Sequence, residues 1–529
     1  MARVPMLTML LAGCALAAQT QQAPAPAMAA APAPTPAPTP TPAPAPAVRL
    51  SLREALQTAL KNNLQVEISQ QQREVTRSGV TTALGAFDWN LAASLGLSRL
   101  ETASSAPAGL KNSQAIDTFN VATTRNLTAT LSRPFEWGGS LSLQYQPAFS
   151  YSRGDYSGST VAANNGPYST SNPYSGTFSA TYNQNFLQGF GLEVTTAPLV
   201  IARKNAAAAD YTFQLAMVSL VASTEAQYWA VVQAQKTLEN GQISLKLAQQ
   251  QLDENNLRLR VGTMAPLDVI SAEAQVATAE QNIITDQAAL DNAKDALIIA
   301  LFPNGERPAG LELTDEPNLA HTQVTEEQAV DQALKHRLEL KVSQNTRDVS
   351  DLQLTVAQDK LKPQLNGYVS YTGGSDTYNS LDSVNSDLAG AKYPGYSIGL
   401  SLAMPIQNRV ARGGLASARA TLRGNELALR NLELSITLAV RTAVRNINAT
   451  EKEVKAAEKT RYLQEKTLEA EQKKFQNGMS TNFNVLQDMT NLDQARANET
   501  AAQIAYATAV TALEQALGDL LEARNFSVQ

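Results

Sequence analysis

Residues 260–270 read RVGTMAPLDVI and residues 476–486 read QNGMSTNFNVL. Both break a long helical pattern, and in the same way. Gly262 falls on Gly478 and Val269 on Val485, an offset of 216 residues. Glycine just past a helix end adopts the left-handed C′ conformation without a Cβ penalty. Pro266 suits the first turn of a following helix, where its missing N–H costs nothing. Asp268, Ser480 and Thr481 are acidic or hydroxyl residues of the kind that favour a helix N-terminus. Each passage therefore predicts the tip of a helix–turn–helix hairpin. The correspondence continues without a gap through Ala279 and Ala495, Asn282 and Asn498, and Gln287 and Gln503, to Leu301 and Leu517.

A second match lies upstream. Ser51-Leu52-Arg53-Glu54 has the form of a capping box, and Thr325-Glu326-Glu327-Gln328 repeats it. Superposing Ser51 on Thr325, an offset of 274 residues, brings Ala55 onto Ala329, Leu60 onto Leu334 and Leu64 onto Leu338. The chain thus reads as a tandem duplication. One copy spans 49–310 and the other 325–521, with a linker at 311–324 and a tail at 522–529. The two offsets differ by 58 residues, so the first copy carries an insertion of that size between Ile68 and about Thr177.

Helical spacing runs from about Leu199 to Val261 and again from about Gly413 to Gln476. At 1.5 Å per residue each is roughly 90 Å long. Such lengths point to a bundle, coiled coil or tube rather than a globular core. Between Phe87 and Phe190 the character changes. This stretch holds 15 of the 30 aromatic residues but only 10 of the 90 charged ones. Residues 90–98, 119–132, 140–151 and 177–187 alternate with period two, and the second copy has two such stretches, near 365–371 and 396–404. Alternating segments of about ten residues carry the weak signature of transmembrane β-strands. A soluble sandwich also alternates, but it gives no reason for strands inserted between very long helices. Trp89, Phe135, Trp137 and Phe186 fall at predicted strand ends, where an interfacial girdle belongs. The expected fold class is mostly α with a membrane β-barrel portion. Long helices build an α-barrel and each chain contributes strands to a shared barrel, because one chain cannot close a wide barrel alone. The 58 extra residues give six strands per chain if they join the barrel, or four if they lie outside it.

The N-terminus reads as an export signal. Arg3 precedes a short apolar run, and Leu11-Ala12-Gly13-Cys14 resembles a lipobox whose cysteine, the only one in the chain, would carry the lipid. An ordinary signal peptide ending near Ala15 or Ala17 is the other reading. A single cysteine excludes an intrachain disulfide. Residues 15–48 are rich in Ala, Pro and Thr and cannot bury a core, which suits a spacer or a disordered tail. A formal charge of −6 gives no reason to expect nucleic acid. The two histidines, His321 and His336, stand in a predicted linker and on a predicted surface helix. No zinc spacing, phosphate loop or nucleophile elbow occurs, so neither an enzyme nor a cofactor or metal is expected.

The duplicated helix start, the paired glycine tips and the helices that follow them resemble the TolC-like outer-membrane channel family, in its lipoprotein form, from Leu50 to Leu521. The resemblance implies a homotrimer set in outer-membrane lipid, with its helices in the bacterial periplasm. It implies passive efflux of small molecules or type I secretion, with a periplasmic adaptor (membrane fusion protein) and an inner-membrane pump of RND or ABC type. Gly262, Thr263, Gly478 and Met479 match the tips that meet the adaptor. Asp268, Phe475, Asn484, Gln487 and Asp488 match the periplasmic aperture. Asp268 stands for an acidic residue that helps to hold the mouth closed, or is a simple helix-dipole partner. Phe475 replaces a frequent Tyr, and Asn484 and Gln487 stand where relatives carry Asp rings. The family's usual four strands per chain would become six if the insertion joins the barrel, giving eighteen in a trimer rather than twelve. A non-conducting, lipid-anchored periplasmic coiled-coil scaffold is the alternative from another class.

Overall fold

The computed structural model describes residues 48–104, 118–155, 168–170, 174–303, 305, 308, 310–317 and 325–526. Cys14, most of the expected spacer and His321 lie outside the described residues. A short strand β1 (Val48–Leu50) leads into α1 (Leu52–Asn62) and α2 (Leu64–Leu84). Ser51 caps α1 in a reciprocal capping box with Glu54, which removes two of the unpaired donors at the helix start. Four strands follow in the order β2 (Asn90–Ser104), β3 (Thr118–Pro134), β4 (Gly139–Asp155) and β6 (Tyr174–Asn185), with the three-residue β5 (Tyr168–Thr170) beside β4. A single turn, α3 (Leu192–Thr195), then turns the chain into α4 (Ala197–Arg260) and α5 (Pro266–Leu301).

The second half runs β7 (Leu311–Leu313), α6 (Glu326–His336), α7 (Leu338–Asp359), β8 (Gln364–Gly374), α8 (Leu381–Ala389), β9 (Tyr393–Ala403), α9 (Arg409–Gln476), α10 (Asn482–Leu517) and α11 (Leu520–Ala523). The expected long helices are present: α4 has 64 residues and α9 has 68. At 1.5 Å per residue both are roughly 100 Å long. Lengths also match across the halves, with 11 residues in α1 and in α6 and 36 in α5 and in α10. Residues 311–313, read from sequence as the start of a linker, are instead a strand that pairs in parallel with β1 through Val48–Leu311, Arg49–Glu312 and Leu50–Leu313. An 18-residue window of α4 is apolar enough to cross a membrane by length and composition alone, and 44% of it is buried within the fold.

Two apolar clusters hold the helices together at mid-length. One gathers Leu50, Tyr228, Trp229, Val231, Leu297, Leu301 and Leu311 from the first half around Ile504 of α10. The other gathers Ala329, Ala333, Ile436, Val440, Tyr506 and Leu513. Burial of such side chains, at about 25 cal/mol per Å² of apolar surface, is the main stabilising term here. Tyr228 is wholly buried, and its hydroxyl donates to the Leu50 carbonyl at 3.2 Å, tying α4 to β1.

Candidate functional site

The six long strands form one antiparallel sheet in the order β2-β3-β4-β6-β8-β9. Directly opposed residues point to the same face, so the register defines both faces. One face carries Leu91, Leu95 and Leu97 on β2, Leu127 and Leu131 on β3, and Leu141, Leu143 and Tyr145 on β4. It continues through Phe178 and Tyr182 on β6, Val369 and Tyr371 on β8, and Tyr396, Ile398, Leu400 and Leu402 on β9. Leu95, Tyr396 and Ile398 are more than 80% exposed in the single chain; farther along the same face α8 lies over β4 and β6, with Val384 and Leu388 against Gly176 and the Tyr145 hydroxyl donating to Asn385 at 2.6 Å. The opposite face carries Ser94 and Ser98, Thr128 and Thr130, Ser142 and Gln144, Ser179 and Thr181, Ser370 and Thr372, Ser397 and Ser401. Thr181 and Ser370 share a 2.8 Å hydroxyl contact there. A sheet apolar on one face and polar on the other separates lipid from water.

The helix-side ends of the strands gather aromatic rings. Trp89 precedes β2, Phe135 and Trp137 lie in the β3–β4 turn, and Phe186 follows β6. Phe135 stacks on Trp137 with centroids 4.6 Å apart, and the Trp137 indole donates to the Tyr182 hydroxyl at 3.0 Å. The Arg133 guanidinium lies over both Trp89 and Phe135, 5.7 and 5.6 Å from their centroids. This turn depends on Gly138, whose φ is +92° and where an added Cβ would collide with the Gly189 carbonyl oxygen. On the apolar face of β3 the next charge after Arg133 is Arg125, eight residues away. At about 3.4 Å per residue and a tilt near 40°, the charge-free band between them is roughly 20 Å high.

At the far end of the helices both glycine tips have the expected form. Gly262 has φ +75° and Gly478 φ +74°. The Gly262 and Thr263 amides donate to the Leu259 and Arg258 carbonyls at 3.0 and 2.9 Å. The Gly478 and Met479 amides donate to Phe475 and Lys474 at 3.0 and 2.8 Å. These paired bonds are Schellman motifs. Pro266 opens α5, and Thr481 caps α10 by accepting from the Asn484 amide. Val261, Leu267, Met479 and Phe483 are exposed.

Sequence reading missed what joins the two tips. Gln251 and Asn255 of α4 and Asn482 of α10 are buried together. Asn255 and Gln251 both donate to the Asn482 carbonyl oxygen, at 2.8 and 3.2 Å. Asn482 in turn donates to the backbone carbonyl of Asp268 at 3.0 Å. Asp268 thus meets the second tip through its backbone. Phe475 is buried at 3% exposure among Leu468, Val485, Met489 and Leu492, with the Arg258 guanidinium 4.2 Å above its ring. Arg258 also donates to the Phe475 carbonyl at 3.0 Å and to Glu254 at 2.8 Å. Asn484 donates to the Ser480 hydroxyl, Gln487 to Asn491, and Asp488 accepts from Asn491 at 3.5 Å. A hydrogen bond from Lys474, with a second from Ser480, holds the Glu471 carboxyl below its usual range. Lys466 and Lys473 bring Glu469 down to about 2. Among the described residues no group of three or more His, Cys, Asp or Glu is placed to hold a metal ion.

The outer membrane efflux protein family model matches residues 142–301 and 329–519. The outer membrane protein TolC of Escherichia coli is 28% identical over 334 residues, which are 61% of this chain and 66% of that protein. The match thus spans just under two thirds of the length of that relative. The outer membrane protein VceC of Vibrio cholerae superposes with a TM-score of 0.61 at 16% identity, over 88% of this chain and 96% of that one. A membrane protein from Pseudomonas aeruginosa gives 0.64 at 15% identity, over 88% and 93%.

Proposed function

From the premise that this chain belongs to the outer membrane efflux protein family, we propose that it is one subunit of a trimeric, passive exit duct. It is an outer-membrane protein. The sheet stands in the membrane, and the helices extend through the periplasm. The carrying observation is the six-stranded sheet, apolar on one face and polar on the other, borne on two helices of 64 and 68 residues. An open sheet with unpaired edges at β2 and β9 is incomplete alone, and edge-to-edge union of three copies closes it. The matched helix lengths of the two halves support an internal duplication. Gly262, Thr263, Gly478 and Met479 meet a periplasmic adaptor, beneath which stands an RND- or ABC-type pump. Solutes leave by efflux or type I secretion without chemical change. Cys14 carries the lipid, and Trp89, Phe135, Trp137 and Phe186 sit at the periplasmic interface of the outer membrane.

Purified full-length protein tests the reading in a planar bilayer. Discrete conductance steps from a particle of three chains are expected. A silent protein indifferent to the bilayer would favour the non-conducting coiled-coil scaffold, a reading that leaves the exposed apolar sheet face without a use.

A further inference from the structure

The insertion in the first half is not an appendage. β2 pairs with β3 over fifteen residues, from Asn90–Ser132 to Ser104–Thr118, and β3 pairs with β4 from Pro134–Ser140 to Asn120–Gly154. The apolar face runs unbroken across all six strands, and so does the polar face. The family match begins at residue 142, inside β4, and leaves β2 and β3 outside it. Among the described residues of the strands, every charged side chain with an assigned face is on the apolar side: Arg99, Glu101, Arg125 and Arg133. These four lie toward the ends of the charge-free band. Among the described residues the polar face offers hydroxyls, amides, glycines and a few apolar or aromatic side chains such as Tyr368, with no charge.

We propose that the β2–β3 hairpin is part of the pore wall, so that the outer-membrane pore has eighteen strands and an uncharged interior that admits bulky polar solutes of either charge sign, or none, alike. The inference rests on the trimeric duct described above. With strands about 4.8 Å apart and tilted near 40°, eighteen strands close at a diameter of roughly 36 Å, against roughly 24 Å for twelve. Rings of charge in a narrow pore sort ions by sign. A wide wall of Ser, Thr, Asn and Gln has no such ring. Selection by charge then falls to the helical part and to whatever delivers the solute.

Two measurements on the full-length protein test this. Electron cryo-microscopy of lipid-nanodisc particles counts the strands. Eighteen is expected; a trimer with twelve would overturn the inference and leave the duct intact, whereas absence of a trimeric barrel would overturn the duct itself. Variants Ser94→Cys, Thr130→Cys and Ser142→Cys, with Leu95→Cys, Leu131→Cys and Leu143→Cys as their opposite-face controls and the unsubstituted protein as the background for Cys14, are then treated on whole cells. The probes are membrane-impermeant methanethiosulfonates, one cationic and one anionic, added from outside. This reads the barrel independently of the helical tips. With each rate divided by that reagent's rate on a small free thiol in solution, which removes the attraction of the thiolate itself for the cationic reagent, the first three are expected to react with both reagents within twofold of each other, and the controls not to react. A tenfold preference for either sign after that normalisation, no reaction at the first three, or reaction at the controls would overturn the proposal.

Discussion

Gly262 and Gly478 hold φ near +75°, and open space surrounds the point where a Cβ would sit at either position, with no atom within 4 Å. Substitution there carries a conformational cost alone. Gly262→Ala is expected to lower stability by about 1 kcal/mol, and Gly262→Asn by less, because Asn tolerates the left-handed region; chemical denaturation would measure both. Asn482 is a harsher case. Asn482→Leu leaves Gln251 and Asn255 buried without their shared acceptor, at a cost of about 2–4 kcal/mol. Its check is a lower unfolding midpoint together with faster amide exchange confined to the two tips. The glycines were legible in sequence because a helix stop is a local event. The amide cluster was not: Asn255 and Asn482 are 227 residues apart, and an Asn on a helix gives no sign of facing another. Phe475 shows the same limit. Its match to an aperture position could not reveal that its ring lies under Arg258 in the packed interior.

Among elements, α10 carries an unusual burden. Asp493 on this helix is half-buried against α4, where it accepts a hydrogen bond from Ser244. Desolvation raises its carboxyl above the ordinary aspartate value of 3.8, with Ser244 and then Arg496 opposing. A raised folded value means that the favourable contribution is present in full below 3.8 and is lost as pH rises through the folded value. Asp493→Asn is therefore expected to raise the melting temperature at neutral pH, by the equivalent of under about 1 kcal/mol once solvent screening is allowed for. The gain should fade on acidification, so thermal melts at pH 7 and pH 4 make the comparison. Helix extents and strand positions were readable, since periodicity of 3.6 or 2 reports which side of an element is apolar. Alternation does not say which strand lies beside which. For that reason the sequence alone left open whether the hairpin joins the sheet; the register of β2, β3 and β4 shows that it pairs into it.

For the whole molecule, the topology predicts a separable hairpin. Asn90 and Ser132 are opposed at the helix-side end of β2 and β3, so deleting residues 90–133 joins chain ends that are already close. β4 and β6 then supply the first half's outward and returning strands. Trimers of this variant are expected to insert, with a barrel about one third narrower, which electron cryo-microscopy would show. The short clip between β1 and β7 bears on how the chain comes into being. Both partners fall within residues 48–313, so this clasp can fasten once Leu313 has emerged from the export machinery, while the second half is still being delivered. The β6–β8 seam, by contrast, joins the halves and must wait. Maturation in time is thus written into strand order: the early half sets first, and the wall that faces lipid is completed last.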